Sequence, residues 1–373
     1  MSPNTNDGVG LQTPATVVIL SPSLSAVSGV STHANLLFRS TLADEFHLVH
    51  FQVGSEGRQE GPLRRASRLA SSFVEFAFFL LRSRPAIVHL NPSLESKALW
   101  RDSIYLLISR LLACRVVFQI HGGAIPEEFF RGHRVRNAIV RRVLRSADAV
   151  VLLSHLEYRL YRKFDSRVRL EVIANAINPS RLLGASTHRA ATRQPLRLAY
   201  LGRLIASKGI FEIIEALRQL RDRRVSAKLS IAGSGPDESR LRTFVEHLGL
   251  NDCVTFRGPL FNEDKDRLWR DTDIFVFPTY FPEGMPYALL ESMAAGAVPV
   301  TCPIGAIPEV IQDEVHGILI PPRDPVAITD ALQQLDADRT RIERMSAAGR
   351  ERILQNHTIE RLARDFRRLY SSL

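Results

Sequence analysis

The chain has 373 residues, 45 % hydrophobic and 24 % charged, with a net charge of +10, an ordinary soluble globular composition long enough for two domains. Its three cysteines, Cys114, Cys253 and Cys302, are odd in number and far apart in apolar surroundings, which reads as buried thiols and argues against disulfides or a metal site. The longest apolar run, Phe73 to Leu81, is interrupted by Glu75 and falls short of the ~20 residues of a membrane-spanning helix, while Thr16 to Leu20 is too short for a secretory signal, so a cytoplasmic setting is expected.

Short β-branched runs alternate with amphipathic helical patterns, the signature of parallel α/β architecture. In the first half the predicted strands are Thr16–Leu20, His47–Val53, Ala86–Leu90, Val116–Ile120, Ala149–Leu153 and Leu170–Ile173. Helical patterns between them include Ser31–Leu42, Leu63–Leu81 and Val135–Arg145. The stretch Pro179–Pro195 is polar, small and Pro-bounded, and reads as a linker. The alternation then restarts with strands at Leu196–Leu201, Ala227–Ala232, Val254–Phe256, Ile274–Phe277, Val298–Thr301 and Gly317–Ile320. Helices at about Pro325–Leu335, Arg339–Gln355 and Thr358–Tyr370 close the chain. Two doubly wound halves of this kind bind ligands at the carboxyl ends of their strands.

The charge is uneven. Residues 1–185 carry 23 Lys and Arg against 14 Asp and Glu, whereas residues 186–373 carry 26 against 25. Arg64, Arg65 and Arg68 lead into an apolar helix, and Arg131, His133, Arg134, Arg136, Arg141, Arg142 and Arg145 crowd another helix and its approach. Basic and apolar residues together suit peripheral contact with anionic lipid. Nucleic acid is the weaker reading, since no RNA-binding motif or aromatic strand face accompanies a pI near 10.0.

Chemistry concentrates in Pro278-Thr279-Tyr280-Phe281-Pro282-Glu283-Gly284-Met285-Pro286-Tyr287-Ala288-Leu289-Leu290-Glu291. A strand, a Pro/Gly-rich loop and a helix opening follow one another, the geometry that holds an anion. Glu283 lies in the loop; Glu291 lies two turns into the helix, where a carboxylate serves paired hydroxyls such as those of a ribose. The pair resembles the Glu-x7-Glu motif of the retaining glycosyltransferases of family 4, which have the GT-B fold. Tyr200-Leu201-Gly202-Arg203-Leu204 with Lys208-Gly209 resembles that family's phosphate-binding segment, Asp273-Ile274-Phe275-Val276-Phe277-Pro278 its following strand, and His121-Gly122-Gly123 its N-domain His-Gly element.

The resemblance implies two Rossmann-like, doubly wound parallel-sheet domains facing a central cleft: residues 1–183 for the acceptor and membrane side, 184–355 for the nucleotide-sugar donor, and a last helix at 356–373 packing back on the first domain. It implies a retaining hexosyltransferase that uses a nucleoside-diphosphate sugar, no obligatory metal, and a saccharide or lipid-linked acceptor of envelope or exopolysaccharide assembly at the inner face of a membrane. Arg203 and Lys208 are expected to meet the leaving diphosphate, with Ser207 capping the helix beside them. Glu283 and His121 are expected beside the donor sugar, and Glu291 at the ribose. Gly29, which follows Ser28 where the family often has paired glycines, and Gly202 are expected to let backbone approach phosphate. Gly284, Met285, Tyr287 and Ala288 are expected to offer N–H groups to sugar or phosphate oxygens, and Pro286 has none to give. Arg257 resembles the nucleobase region, and Asn175 stands at the cleft or hinge. Asp271-Thr272-Asp273 matches a metal-binding Asp-x-Asp pattern, but its place before a strand reads as a helix-end turn. Sharing the fold, a sugar-nucleotide epimerase is the enzymatic alternative, and the Glu-x7-Glu pattern argues against it.

Overall fold

A computed structural model describes residues 14–54, 61–92, 96–122, 133–183 and 195–373. The β-branched runs of the first half form β1 (Thr16–Ser21), β2 (His47–Gln52), β3 (Ile87–Leu90), β4 (Arg115–Gln119), β5 (Ala149–Leu152) and β6 (Leu170–Val172). They build a parallel sheet in the order β2-β1-β3-β4-β5-β6. The second half repeats this with β7 (Leu196–Leu201), β8 (Ala227–Ala232), β9 (Val254–Gly258), β10 (Ile274–Phe277), β11 (Val298–Thr301) and β12 (Ile318–Leu319), in the order β12-β11-β10-β7-β8-β9. Strands such as β3, β5, β10 and β11 are buried along their whole length, which is why they read as continuous apolar runs rather than alternating ones.

Helices cover both faces of each sheet. In the first half these are α1 (Gly29–Arg39), α2 (Leu42–Glu45), α3 (Pro62–Ser83), α4 (Ser96–Leu111), α5 (Arg134–Ser146) and α6 (His155–Phe164). In the second half they are α7 (Ile210–Asp222), α8 (Glu238–His247), α9 (Asn262–Arg270), α10 (Tyr287–Ala295), α11 (Ile307–Val310), α12 (Pro325–Ala337), α13 (Arg339–Asn356) and α14 (Ile359–Ser371). This is the GT-B architecture: two doubly wound parallel sheets.

Three local expectations are corrected. The pattern Ser31–Leu42 is not one helix: it breaks at Ser40, which is extended (ψ 166), and the Ser40 hydroxyl then accepts from Leu42 N at 3.3 Å to start α2. Ser207 does not cap the helix after β7. A 3₁₀ turn spans Ala206–Lys208, and Gly209 precedes α7 at φ 75, a left-handed conformation that glycine adopts without steric cost. Cys253 is half-buried rather than buried, beside Arg221 on the surface. The central part of the Pro179–Pro195 linker lies outside the described residues, as do Gly123 and Arg131.

The last helix belongs to the first half's core. After α13 the chain crosses back through paired backbone bonds, Ile177 N to His357 O and Ile359 N to Ile177 O, both 2.9 Å. Helix α14 then buries Leu362, Ala363, Phe366, Leu369 and Tyr370 against Val17, Ile19, Leu37 and Val117. Its N-cap, Thr358, accepts from Arg361 N. Because Phe366 is fully buried in that cluster, Phe366→Ala should cost about 3–5 kcal/mol. Chemical denaturation should show the loss in the first half's transition although the residue lies at the chain's other end.

Candidate functional site

In each sheet the strand order reverses at one point: between β1 and β3 in the first, between β7 and β10 in the second. The loops leaving those strands, joined by the one after β4, meet across the crevice. Gly122, after β4, and Gly284, after β10, touch backbone to backbone: a Cβ on Gly284 would lie 3.0 Å from the Gly122 Cα, and one on Gly122 would collide with the Gly284 nitrogen. Gly29 at the start of α1 faces the Tyr287 ring: a Cβ there would lie 3.7 Å from the Tyr287 Cδ2. The Ser28 hydroxyl caps α1 by accepting from Ser31 N at 3.2 Å.

On the C-terminal side, Arg203 and Lys208 leave β7 and Glu283 leaves β10. Lys208 Nζ pairs with Glu283 Oε1, and the same oxygen accepts from Thr279 Oγ1 at 2.8 Å. The ammonium also lies 4.5 Å from the centroid of the Phe281 ring. Arg203 is exposed, and its carbonyl accepts from Tyr200 OH at 2.8 Å, which fixes the turn beside Gly202. Helix α10 opens after Pro286 with no side-chain cap, so its first N–H groups face the crevice mouth without a side-chain acceptor. Glu291 is buried on the next turn. Its Oε1 accepts from Lys265 Nζ at 2.6 Å and its Oε2 from Trp269 Nε1 at 3.3 Å. Neither partner was legible in the sequence, because nothing local links α9 to a carboxylate on α10. Arg257 is exposed at the end of β9.

A second layer of polar side chains joins the two halves. Asn175 Nδ2 donates to Met285 O at 2.8 Å, Tyr287 OH donates to Asn175 Oδ1 at 3.2 Å, and the same hydroxyl lies 3.3 Å from His33 Nδ1. His357 Nδ1 donates to Asn175 O at 3.0 Å. Ala288 follows Tyr287 in the first turn of α10 and is half-buried. His121 Nε2 donates to Asn91 Oδ1 at 2.8 Å, and its ring meets His33 edge to face at 4.8 Å. His89 Nε2 donates to Gln119 Oε1 at 3.0 Å, so its Nδ1 accepts from Tyr370 OH at 2.7 Å. That pattern fits a neutral ring.

Burial drives these imidazoles to the neutral form: His33 and His89 are lowered to about 3, His357 to about 4, and His121 falls well below its ordinary value. The Asp-x-Asp pattern is spent on structure. Asp273 is buried and takes Arg197 N at 3.0 Å and Nε at 3.1 Å, and Asp271 caps the end of α9. Among the described residues no group of three or more His, Cys, Asp or Glu is arranged to hold a metal ion.

Residues 188–352 match the family profile described as glycosyl transferases group 1, and residues 16–176 match that of a glycosyl transferase 4-like domain. An amylovoran biosynthesis glycosyltransferase, AmsK of Erwinia amylovora, is 33 % identical over 82 % of this chain and 73 % of its own length. The chain belongs to the group 1 glycosyltransferases. A putative colanic acid biosynthesis glycosyltransferase, WcaL of Escherichia coli, is 31 % identical over 53 % of this chain and 50 % of its own, so the chain spans about half the length of that relative. A GDP-mannose-dependent mannosyltransferase acting on phosphatidylinositol monomannoside, from Mycobacterium tuberculosis, is 29 % identical over 64 % of this chain and 65 % of its own. Among solved structures, a sucrose-phosphate synthase from Thermosynechococcus elongatus superposes with a TM-score of 0.78 at 20 % identity, covering 96 % of this chain and 98 % of that one. Anabaena HepE, solved with UDP and glucose, gives 0.75 at 16 %, covering 96 % and 100 %. These two likenesses establish that this glycosyltransferase-family chain has the GT-B fold.

The neutral imidazoles carry a pH consequence. In the unfolded chain each titrates near 6.5, so below that pH the unfolded state binds more protons than the folded one. Their contribution is complete above pH 6.5 and is lost as pH falls toward about 3. Glu157, raised to about 7 mainly by burial, acts in the opposite sense, losing stability as pH rises from 4.5 through about 7. Asp102 and Glu212, raised by burial in the same way, act with it against four deeply buried imidazoles that are each worth up to ~1.4 kcal/mol per pH unit. The denaturation midpoint should therefore fall steadily from pH 6.5 to 4, and His89→Gln should flatten that slope.

Proposed function

We propose that the protein transfers a hexosyl group from a nucleoside-diphosphate sugar to a hydroxyl acceptor with retention of anomeric configuration, without an obligatory metal. The observation that carries this reading is the convergence of Lys208, Glu283 and the uncapped start of α10 at the switch point of the second sheet, with Arg203 on the adjoining turn. Arg203, Lys208 and the α10 N–H groups, among them those of Tyr287 and Ala288, take the role of neutralising the diphosphate, and the negative charge that grows on it as the glycosidic bond breaks. On donor binding the diphosphate takes over Lys208, and Glu283 is released to the sugar hydroxyls. Gly29, Gly202 and Gly284 let backbone approach the phosphates and the sugar. His121, held by Asn91 and neutral, orients a sugar hydroxyl from the opposite wall. Glu291 accepts the ribose hydroxyls, and the exposed Arg257 flanks the base.

Retention follows if the acceptor oxygen attacks on the face the diphosphate leaves. The acceptor C–O bond forms as the sugar–phosphate bond breaks, and the acceptor proton passes to the departing phosphate oxygen. A protein nucleophile of the kind used by retaining glycosidases is not part of this scheme: once Lys208 turns to the diphosphate, Glu283 keeps Thr279 as a donor and accepts the sugar hydroxyls. Relatives named for amylovoran, colanic acid and phosphatidylinositol mannoside assembly support a saccharide or lipid-linked acceptor.

Contact with anionic membrane is part of the same proposal. Val74, Phe78 and Leu81 are exposed on one face of α3, and Ile104, Leu107 and Leu111 on one face of the adjoining α4. Val135 and Ile139 continue the apolar surface on α5, where Arg134, Arg136 and Arg142 are exposed and no acidic residue occurs. The side chains of Arg64 and Arg65 lie outside the described residues. Among the described residues no helix is long and apolar enough to cross a membrane.

Transfer to a lipid-linked acceptor in excess EDTA, with the anomer of the product read by NMR, tests the chemistry. Wild type should keep its rate without metal, and Arg203→Ala and Lys208→Ala should each lose on the order of 10²–10³ in turnover. Loss of activity in EDTA restored by Mg²⁺ overturns the metal-free mechanism. Near-wild-type turnover in both variants removes the diphosphate assignment, and an inverted product removes retention.

Sedimentation with vesicles containing anionic lipid tests the surface. Binding should weaken as salt rises, the Debye length being ~10 Å at 0.1 M. Changing Arg134, Arg136 and Arg142 together to serine should cost roughly 3 kcal/mol of binding, about 1 per residue. Nucleotide affinity should not change. Equal partitioning of both proteins clears α5 of the role.

A further inference from the structure

The carboxylate of Glu291 is held from one side by a single helix. Lys265 and Trp269 are four residues apart on α9, hence on one face, and that face meets α10. Trp269 is fully buried and its ring is locked edge to face against Phe275 at 5.2 Å, so its N–H gives Oε2 a fixed anchor. The Lys265 side chain is 28 % exposed and reaches Oε1 from the rim. Its neighbours on α9 are otherwise engaged: Asp266 pairs with Arg181, and Glu263 and Asp264 with Arg267. A carboxylate oxygen has two acceptor directions. With one on each oxygen taken by α9, one on each remains, which is the number a vicinal diol requires.

We propose that Lys265 is a positioning residue that makes the donor site selective for a ribonucleotide. Together with Trp269 it fixes the Glu291 carboxylate in one orientation, so that both ribose hydroxyls are accepted at once. This rests on the reading of Glu291 as the ribose acceptor. Without the lysine the carboxylate keeps one anchor and turns about it. Its hydrogen bonds to the diol then lose their alignment, and the preference for ribose over a dideoxy sugar shrinks. A lysine that only staples α9 to α10 would lower the melting temperature and leave that preference intact.

The test is calorimetric titration of the full chain with UDP and GDP and with the 2′,3′-dideoxy form of each, in wild type, Lys265→Met, Lys265→Arg and Glu291→Ala. The reading is the ratio of dideoxy to ribo dissociation constants. For hydrogen bonds to a charged group, wild type should show a ratio of about tenfold or more. Glu291→Ala should bring it near one, Lys265→Met should cut it at least about threefold, and Lys265→Arg should restore most of it. Steady-state kinetics should show Lys265→Met raising donor KM more than it lowers kcat. A Lys265→Met protein that melts lower but keeps the full ratio overturns the inference and leaves Glu291 at the ribose. A Glu291→Ala protein that keeps the full ratio overturns the Glu291 reading and the inference with it.

Discussion

Contact between the backbones of Gly122 and Gly284 sets the spacing of the two sheets at the crevice, and every other pair across it depends on that spacing. A Cβ on Gly122 would come within 2.4 Å of the Gly284 nitrogen and one on Gly284 within 3.0 Å of the Gly122 Cα, so a side chain at either position would force the loops to shift. With the loops in contact, Tyr287 on α10 reaches Asn175 and the neighbourhood of His33, and Asn175 reaches Met285. A second tie lies farther along the crevice. Glu309, on α11, accepts His155 N at 2.8 Å and Leu156 N at 2.6 Å. Those two N–H groups open α6 in the other half. Ser154 and Glu157 already form a reciprocal cap there: Ser154 Oγ accepts from Glu157 N, and Glu157 Oε2 accepts from Leu153 N. The helix end is thus completed by a carboxylate from the opposite domain, where the helix dipole favours it.

The polar layer beneath the crevice is costly to bury and is organised accordingly. A charged imidazole there would lose its hydration without a counter-ion, so the rings stay neutral and their two nitrogens divide into one donor and one acceptor. At His89 that division is fixed by Gln119 on one side and Tyr370 on the other. Because Tyr370 sits on the last helix, the chain's end helps set the tautomer of a ring two residues before Asn91, which in turn holds His121. The coupling between α14 and the crevice wall is therefore a run of hydrogen bonds as well as a shared core. Its members are positioned by packing, and their protonation state follows from that packing.

The sequence made the sheets legible because strands buried on both faces have nowhere to place a polar residue, and their ends are marked by turn residues. The β7–Gly202 and β10–Glu283 segments were legible because strand, glycine turn and helix start succeed one another locally. The partners of the site were not. Lys265 is 26 residues from Glu291, and Asn91 is 30 from His121. Neither carries a local signal that separates it from an ordinary surface lysine or loop asparagine. Asp273 shows the same limit in reverse. Its spacing from Asp271 imitates a metal motif, and only Arg197, 76 residues away, reveals a buried ion pair. The break at Ser40 escaped because the apolar period runs through it, while a single hydroxyl decides the backbone.

Lys208 and Arg203 differ in a way that bears on how a polyanion enters. Lys208 is 14 % exposed and already paired with Glu283, which is 10 % exposed. An unpaired ammonium at that depth would be strongly penalised, and the glutamate offsets much of the cost before any ligand arrives. Under the proposed function, a diphosphate entering the site would exchange one anion for another at Lys208 and need not strip water from a bare cation. The carboxylate it displaces keeps Thr279 as a donor and gains room to accept hydroxyls. Arg203, exposed and solvated, can move toward the phosphate without breaking a buried pair. Under the proposed function the two cations would divide the work: the buried one would fix where the diphosphate sits, and the exposed one would add charge as the bond to the sugar lengthens.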